Sequence, residues 1–160
     1  MHKRQWIVLA VALTAMAGTS VNVMSHGKAK GIVLERHTVM SDIGDAVKTI
    51  RAMIRGKQSL NRETLALNAA VIAREAEKIV NLFPDTKASR KGPGNNAKAK
   101  IWDHKERFDA ITWDLVSAAD KMAKIAATST PKELKAKFLE IGRTCKSCHK
   151  DYRKKKKKKH

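Results

Sequence analysis

Apolar residues recur at alternating intervals of three and four positions in four segments of the chain, and no segment shows a sustained strand-like alternation. This spacing places apolar side chains along one face of an α-helix. The pattern predicts four helices, over about residues 31–55, 61–82, 99–127 and 130–152. Residues 85–100, which contain Gly92-Pro93-Gly94, are predicted to form a solvated crossover loop. Short outer connections and this longer middle one predict an all-α fold, an antiparallel four-helix bundle.

The third predicted helix has a seam of seven apolar residues, which are Ile101, Phe108, Ile111, Leu115, Ala118, Met122 and Ile125. His104 is predicted to continue this seam as a hydrogen-bonded helix histidine, with a histidine that ligates a metal as the alternative. The fourth helix begins with a capping box, Thr130-Pro131-Lys132-Glu133. Its seam consists of Leu134, Phe138, Ile141, Cys145, Cys148 and Tyr152. Both cysteines are therefore predicted to point into the bundle.

Both cysteines of the chain belong to Cys145-Lys146-Ser147-Cys148-His149, the c-type haem attachment motif. Two thiols one helical turn apart can form thioethers with the two vinyl groups of one porphyrin, and the next imidazole then lies under the iron. A thioredoxin-like dithiol would follow a β-strand, and a structural zinc site would need a second pair of ligands. The motif predicts one covalent haem c in the bundle core, on Cys145 and Cys148 with His149 as axial ligand. Thiol redox chemistry and a plain disulfide are the alternatives.

The first 25 residues have the composition of a secretory signal peptide. His2-Lys3-Arg4 is basic, and the apolar stretch from Trp6 to Ala17 is too short to span a bilayer. Cleavage after Ala17 and cleavage after Ser25 both fit, and an uncleaved membrane anchor is the alternative. The protein is therefore expected in the periplasm, with a four-helix haem domain over residues 26–153.

Positive charge dominates the chain. Its 160 residues carry a formal charge of +19, which falls by two to +17 if cleavage after Ser25 removes Lys3 and Arg4. Such a surface favours acidic partner proteins or anionic lipid headgroups, through an attraction that weakens as salt rises. Nucleic acid is not expected as a partner, because no nucleic-acid-binding motif is present. Residues 154–160, mostly lysine, are predicted to be a disordered tail that could also steer an acidic redox partner.

Taken together, the chain resembles the class II c-type cytochromes, the family of cytochrome c prime and its low-spin relatives. The resemblance rests on the haem motif followed by Asp151-Tyr152-Arg153, on Arg36 and Met40, and on Leu82-Phe83-Pro84 leading to Ile101-Trp102. It implies an exported bacterial four-helix bundle with one haem on the last helix, often a homodimer, and without stable membrane insertion.

The resemblance implies roles for residues of the first helix. Arg36 matches a residue beside the haem propionates, and an arginine extending from a fraying helix end is the alternative. Met40, four residues on and on the same face, matches the residue facing the open side of the iron. In low-spin members this methionine is a ligand, whereas in cytochrome c prime a bulky residue here leaves the iron five-coordinate. Met40 is predicted to ligate, with core filling as the alternative. His37 departs from the family pattern and is expected to be solvated, with a propionate contact as the alternative. Arg153 matches a basic residue flanking the proximal pocket, with the start of the charged tail as the alternative.

Three functions follow from these observations. The first is a one-electron carrier with His149 and Met40 as axial ligands. The second is a five-coordinate protein that binds nitric oxide or carbon monoxide, with Met40 only packing beside the iron. The third is a dithiol oxidoreductase without haem. An enzymatic activity is not expected, because no nucleophile–base pair or carboxylate dyad occurs at a spacing that implies a reaction.

Overall fold

The computed structural model describes residues 28–155. The predicted signal peptide, residues 1–25, and the last part of the tail, residues 156–160, lie outside the described residues. The described part contains six α-helices, which are α1 (Ile32–Ile54), α2 (Arg62–Ile79), α3 (Lys87–Lys91), α4 (Lys100–Asp103), α5 (Lys105–Ile125) and α6 (Pro131–Tyr152). The long helices α1, α2, α5 and α6 form the predicted antiparallel bundle, so the predicted fold class is confirmed. Among residues 28–155 no helix is both long and apolar enough to cross a membrane.

Local signals in the sequence fix where the long helices begin. Thr130 and Glu133 form the predicted capping box, in which the Glu133 carboxylate accepts from the Thr130 backbone N–H at 2.7 Å. Proline occupies the first position of α6, where a backbone N–H would have no helical partner. At the start of α2, the Asn61 side chain accepts from the Thr64 backbone N–H at 2.8 Å. These caps keep the starts of both helices within one residue of their predicted places.

The core lies along the inner seams of the four long helices. Its fully buried large side chains come from each long helix and from α4, and are Val33, Ile50, Leu65, Ile72, Ile101, Met122, Leu134 and Ile141. Between α2 and α5 the contact also uses the small residues Ala69, Ala76 and Ala119, all fully buried. Small side chains let two helix backbones approach closely. This half of the bundle is therefore closed by protein alone.

The predicted third helix is interrupted at His104. The chain leaves helical geometry there (φ −132°, ψ 49°), so α4 ends at Asp103 and α5 begins at Lys105. The break turns the His104 side chain away from the apolar seam and leaves it exposed. The prediction that His104 continues the seam is therefore wrong. The carbonyl of His104 instead accepts from the Phe108 backbone N–H at 3.0 Å, as the first hydrogen bond of α5.

The middle connection is more ordered than a solvated loop. It contains the five-residue helix α3, capped by Thr86, and within it Ser89 is fully buried. Further on, Ala97 forms an antiparallel bridge with Arg153, at the end of α6. The sequence missed both features because residues 85–100 contain glycine, proline and charge but no apolar period.

Candidate haem-binding site

A cavity of about 690 Å³ opens on the side of the bundle formed by α1, α5 and α6. Its volume lies within the range of roughly 300–1,000 Å³ that is usual for ligand pockets. The five residues predicted from the sequence all line it, namely Arg36, Met40, Cys145, Cys148 and His149. The structure thus brings together residues more than a hundred positions apart in the chain.

The two thiols stand one turn apart on α6 and face the cavity. Both are free, and both are half-buried. Burial raises the pKa of Cys145 and raises that of Cys148 to about 11. At neutral pH both groups are therefore protonated, whereas disulfide exchange requires a thiolate. This environment disfavours the dithiol oxidoreductase hypothesis.

His149 follows directly after Cys148 in the last turn of α6 and also lines the cavity. Burial, followed by the positive charge of Arg153, lowers the pKa of its imidazole. A neutral imidazole has a nitrogen lone pair available for a metal. The lowered pKa thus favours the neutral form that an axial iron ligand requires.

Arg36 is a buried cation in the wall of the cavity, only 5% exposed. Its Nε donates to the carbonyl of Leu82 at 2.6 Å, Nη1 donates to the carbonyl of Ser89 at 2.9 Å, and Nη2 donates to the Ser89 hydroxyl. The guanidinium also lies over the ring of Phe83, 4.0 Å from its centroid. The alternative of an arginine extending from a frayed helix end is therefore wrong.

No carboxylate in residues 28–155 forms an ion pair with Arg36. Burial lowers the pKa of the guanidinium to about 10. Three of its five N–H groups are used by neutral acceptors, which leaves two for a further partner. A buried cation without a counter-ion, on a cavity wall, is chemically suited to an anionic group of a ligand.

Met40 and His37 lie on the same stretch of α1 as Arg36. Met40 is 36% exposed and lines the cavity opposite α6. His37 lines the cavity as well and is half-buried, so it is less solvated than the sequence indicated. The sequence pattern did not distinguish His37 from an ordinary surface histidine. The positions of α1 that it assigned to the haem side were those of Arg36 and Met40.

The remaining wall near Met40 is mainly apolar, although the half-buried Ser41 also lines it. Its apolar side chains come from α1, α2 and α5, and are Ile43, Val47, Ile79, Ile111 and Leu115. Thr112 is the buried polar residue on this wall, and its hydroxyl already donates to the carbonyl of Phe108 at 3.0 Å. Thr112 was not predicted, since a threonine inside an apolar helix seam gives no functional signal.

These observations test whether the cavity fits a haem. It has the volume, two thiols one turn apart, an adjacent neutral imidazole, a buried cation and a mainly apolar lining. A porphyrin has an apolar face, two vinyl groups, a metal and two carboxylates, and each of these has a matching group in the wall. The donor set and the cavity therefore fit a covalently attached haem.

Comparison with known proteins agrees with this geometry. Residues 31–153 match the family model described as Cytochrome C'. The chain belongs to the cytochrome c' family. As a cytochrome c' family member it carries one covalently bound haem c.

The relatives of this chain include proteins named cytochrome c' and proteins named cytochrome c-556. A cytochrome c' of Rhodopseudomonas palustris is 34% identical over 128 residues, covering 78% of this chain and 83% of the relative. A cytochrome c-556 of the same organism is 27% identical over 147 residues, covering 90% of this chain and 91% of the relative. The solved structure of cytochrome c' from Rhodopseudomonas palustris superposes with a TM-score of 0.73 at 30% identity, covering 80% of this chain and 99% of the other.

Proposed function

We propose that this cytochrome c' family member holds a five-coordinate haem iron and binds a diatomic gas, nitric oxide or carbon monoxide. This reverses the order expected from the sequence, which placed electron transfer with Met40 ligation first. The observation that carries the proposal is the mainly apolar cavity wall near Met40, where the Thr112 hydroxyl is already used in a hydrogen bond to the Phe108 carbonyl. Nitric oxide and carbon monoxide need no hydrogen-bond donor, whereas bound dioxygen is stabilised by one.

In this proposal the residues of α6 attach and orient the cofactor. Cys145 and Cys148 form the two thioethers, and His149 is the axial ligand on the α6 side. The haem supplies the iron and its open coordination position. Arg36 pairs with a propionate through its two remaining N–H groups, which would compensate its buried charge. Because its other N–H groups are tied to Leu82 and Ser89, its guanidinium is held in place before the anion arrives.

Met40 acts as a packing residue in this proposal. Its thioether lies on the cavity wall opposite α6, where it would fill space beside the open position and exclude water. Apolar neighbours on α1 and α5 complete this wall, so a small apolar gas is favoured over a charged or hydrogen-bonding ligand.

The second candidate is one-electron transfer with Met40 as a second axial ligand. It is favoured by the same thioether position and by the cytochrome c-556 relatives. A sixth ligand present in both oxidation states would keep reorganisation small during electron transfer. Acidic redox proteins would then be the partners.

The optical spectrum of the holoprotein separates the two candidates. We expect high-spin bands in the ferric and dithionite-reduced forms, and a shift of the reduced bands with carbon monoxide. Met40→Leu should leave the high-spin spectrum in place, and Met122→Leu, a fully buried methionine away from the cavity, is the matched control. Sharp low-spin bands that ignore carbon monoxide in the wild type and become high-spin in Met40→Leu would overturn the proposal in favour of electron transfer.

Export and assembly are inferred from the N-terminal composition and from the family resemblance. We infer that the protein is periplasmic, and mass spectrometry of the mature chain would show cleavage after Ala17 or after Ser25. Within the mature chain, the haem domain is expected to span residues 26–153, followed by the basic tail. A homodimer is expected from the family resemblance, and sedimentation of the holoprotein with and without carbon monoxide would measure it.

A further inference from the structure

We propose that the surface around His149 is a docking face for an acidic redox protein that reduces the haem. We call this surface the proximal basic face, and it consists of Lys98, Lys100, Lys150, Arg153, Lys154 and Lys155. The proposal rests on the proposed function only in needing a haem attached to Cys145 and Cys148. It applies whether the reduced iron then binds a gas or passes its electron on.

Backbone hydrogen bonds hold the two halves of this face together. The backbone N–H of Lys98 donates to the carbonyl of Tyr152 at 2.9 Å, and the N–H of Lys154 donates to the carbonyl of Asn96 at 2.8 Å. Ala97 and Arg153 form the bridge between these bonds. Two lysine-bearing segments are thereby fixed side by side, although their charges repel one another.

The cations of the face have no carboxylate partners within residues 28–155. Elsewhere in this part of the chain lysines do form ion pairs, as Lys105 does with Asp109 at 2.6 Å. The acidic residues nearest in sequence are Asp151 and Asp103, and neither forms an ion pair with a member of the face. The face therefore keeps an uncompensated positive charge.

Contacts within the protein explain the positions of only some lysine side chains of the face. The Lys98 ammonium donates to the carbonyl of Lys150 at 2.9 Å, that of Lys154 donates to Asn95, and that of Lys100 lies 5.8 Å from the centroid of the Tyr152 ring. The Lys150 and Lys155 side chains are exposed and make no hydrogen bond or ion pair with the described residues. Their positions are explained by neither packing nor capping.

Part of the face borders the proposed proximal ligand, His149. A shallow depression of about 340 Å³ is lined by His149, Arg153, Lys154 and Lys155. An acidic protein attracted here would therefore bring its redox centre close to the imidazole that binds the iron. A concave site suits carboxylates that project from a protein, whereas a flat anionic bilayer would meet only its rim. Lys156–Lys159 add four positive charges in sequence directly after the face.

The test compares two charge-reversed holoproteins that differ only in where the charge is placed. Lys150→Glu/Lys155→Glu changes the face, and Lys57→Glu/Lys132→Glu makes the same change in net charge at the other end of the bundle. Lys132 and Lys150 are separated by about 27 Å along α6, at ~1.5 Å per residue. Reduction of the ferric proteins by flavodoxin hydroquinone, an acidic one-electron donor, is followed by stopped flow at several salt concentrations.

We expect the face variant to lose at least tenfold in rate at low ionic strength and most of its salt dependence, and the control variant to lose less than threefold. Equal losses in both variants, with normal haem spectra, would overturn the docking face. Binding of the wild type to phosphatidylglycerol vesicles that the face variant loses, with flavodoxin rates unchanged, would overturn it in favour of lipid. Failure of the proposed function is a distinct result, since the wild type would then lack the haem spectrum or its carbon monoxide shift.

Discussion

Helices α2 and α5 meet through small, fully buried residues such as Ala69, Ala76 and Ala119, whereas α1 and α6 face each other across a cavity of about 690 Å³. On the first side the apolar surface is removed from water by protein alone. On the second side apolar residues such as Ile111 and Leu115 line the open space. We call these the packed side and the cavity side. The difference indicates that the bundle is completed by its cofactor on one side only, so changes on the two sides should have different consequences.

The largest effect should come from removing the thiols on the cavity side. Cys145→Ser/Cys148→Ser is expected to abolish covalent haem attachment, and to lower the free energy of unfolding by about 4 kcal/mol or more, which is the stabilisation by a ligand present at a thousand times its dissociation constant. Haem staining after denaturing electrophoresis and urea unfolding measure the two effects. An equally stable, fully folded apoprotein would show that the cavity side does not need the haem.

The next largest effect should come from truncating a core residue, and the loss of stability should differ between the two sides. Ile72→Ala on the packed side is expected to destabilise the apoprotein by about 3 kcal/mol, within the range of ~2–5 kcal/mol for such changes, because a closed core cannot fill the gap. Leu115→Ala, which enlarges an existing cavity, should have a smaller effect in the apoprotein. Urea unfolding of both apoprotein variants tests this. Equal losses of unfolding free energy would contradict the division into two sides.

An intermediate effect is expected at Arg36, where the cavity side is joined to the middle connection. Arg36→Lys keeps the charge but cannot reach Leu82 and Ser89 together, since an ammonium lacks the planar fork of a guanidinium. A loss of about 2 kcal/mol is expected, from the ~1.5–3 kcal/mol typical of a hydrogen bond to a charged group. Arg90→Lys is the control, because Arg90 pairs with the exposed Asp85 and should change the thermal midpoint less. If Arg36→Lys lowers the thermal midpoint no more than Arg90→Lys does, the hydrogen bonds from Arg36 to Leu82 and Ser89 add no stability.

The smallest effect should be a pH dependence that arises on α2, at Glu75. Hydrogen bonds from Lys78, and then from Arg74, hold the pKa of its carboxyl below its usual value. As the pH falls, the unfolded chain therefore takes up this proton before the folded chain does, and stability decreases. Glu75→Gln should remove less than ~1 kcal/mol of the stability present at neutral pH, and should flatten the decline of the thermal midpoint below about pH 5. If the thermal midpoints of Glu75→Gln and wild type fall in parallel as the pH is lowered, the Glu75 carboxyl is not the cause of the pH dependence.

The sequence predicted the helical elements and the cavity residues because both leave a periodic or local signal. The seam of α6 placed Cys145 and Cys148 on the inner face, and the structure has them on the cavity wall. The prediction of the apolar seam of α5 is less accurate in the second half of the helix. Ala119 and Ala126 are fully buried there, whereas the predicted Ala118 and Ile125 are only half-buried. A helix repeat of 3.6 residues drifts against a strict alternation of three and four, so such errors accumulate with length.

Long-range contacts between polar atoms leave no periodic or local signal in the sequence. Arg36 and Ser89 are 53 residues apart, and their hydrogen bond depends on how α3 lies against α1. The break at His104 is similar, because an apolar period continues through it in sequence while the backbone turns. Pairing of residues 96–98 with 152–154 also joins segments without strand propensity. These features depend on tertiary packing, which single-sequence patterns do not contain.

The bridge between Ala97 and Arg153 has a consequence for the order of events during biogenesis. The segment that ties the end of α6 to the middle connection lies after the haem motif in the chain. In the proposed export, with the N-terminus leading, Cys145 and Cys148 would emerge before Arg153 and Lys154 can pair with residues 96–98. The attachment machinery would meet both thiols while that edge of the cavity is still open, and the bridge would form only once the rest of α6 has followed.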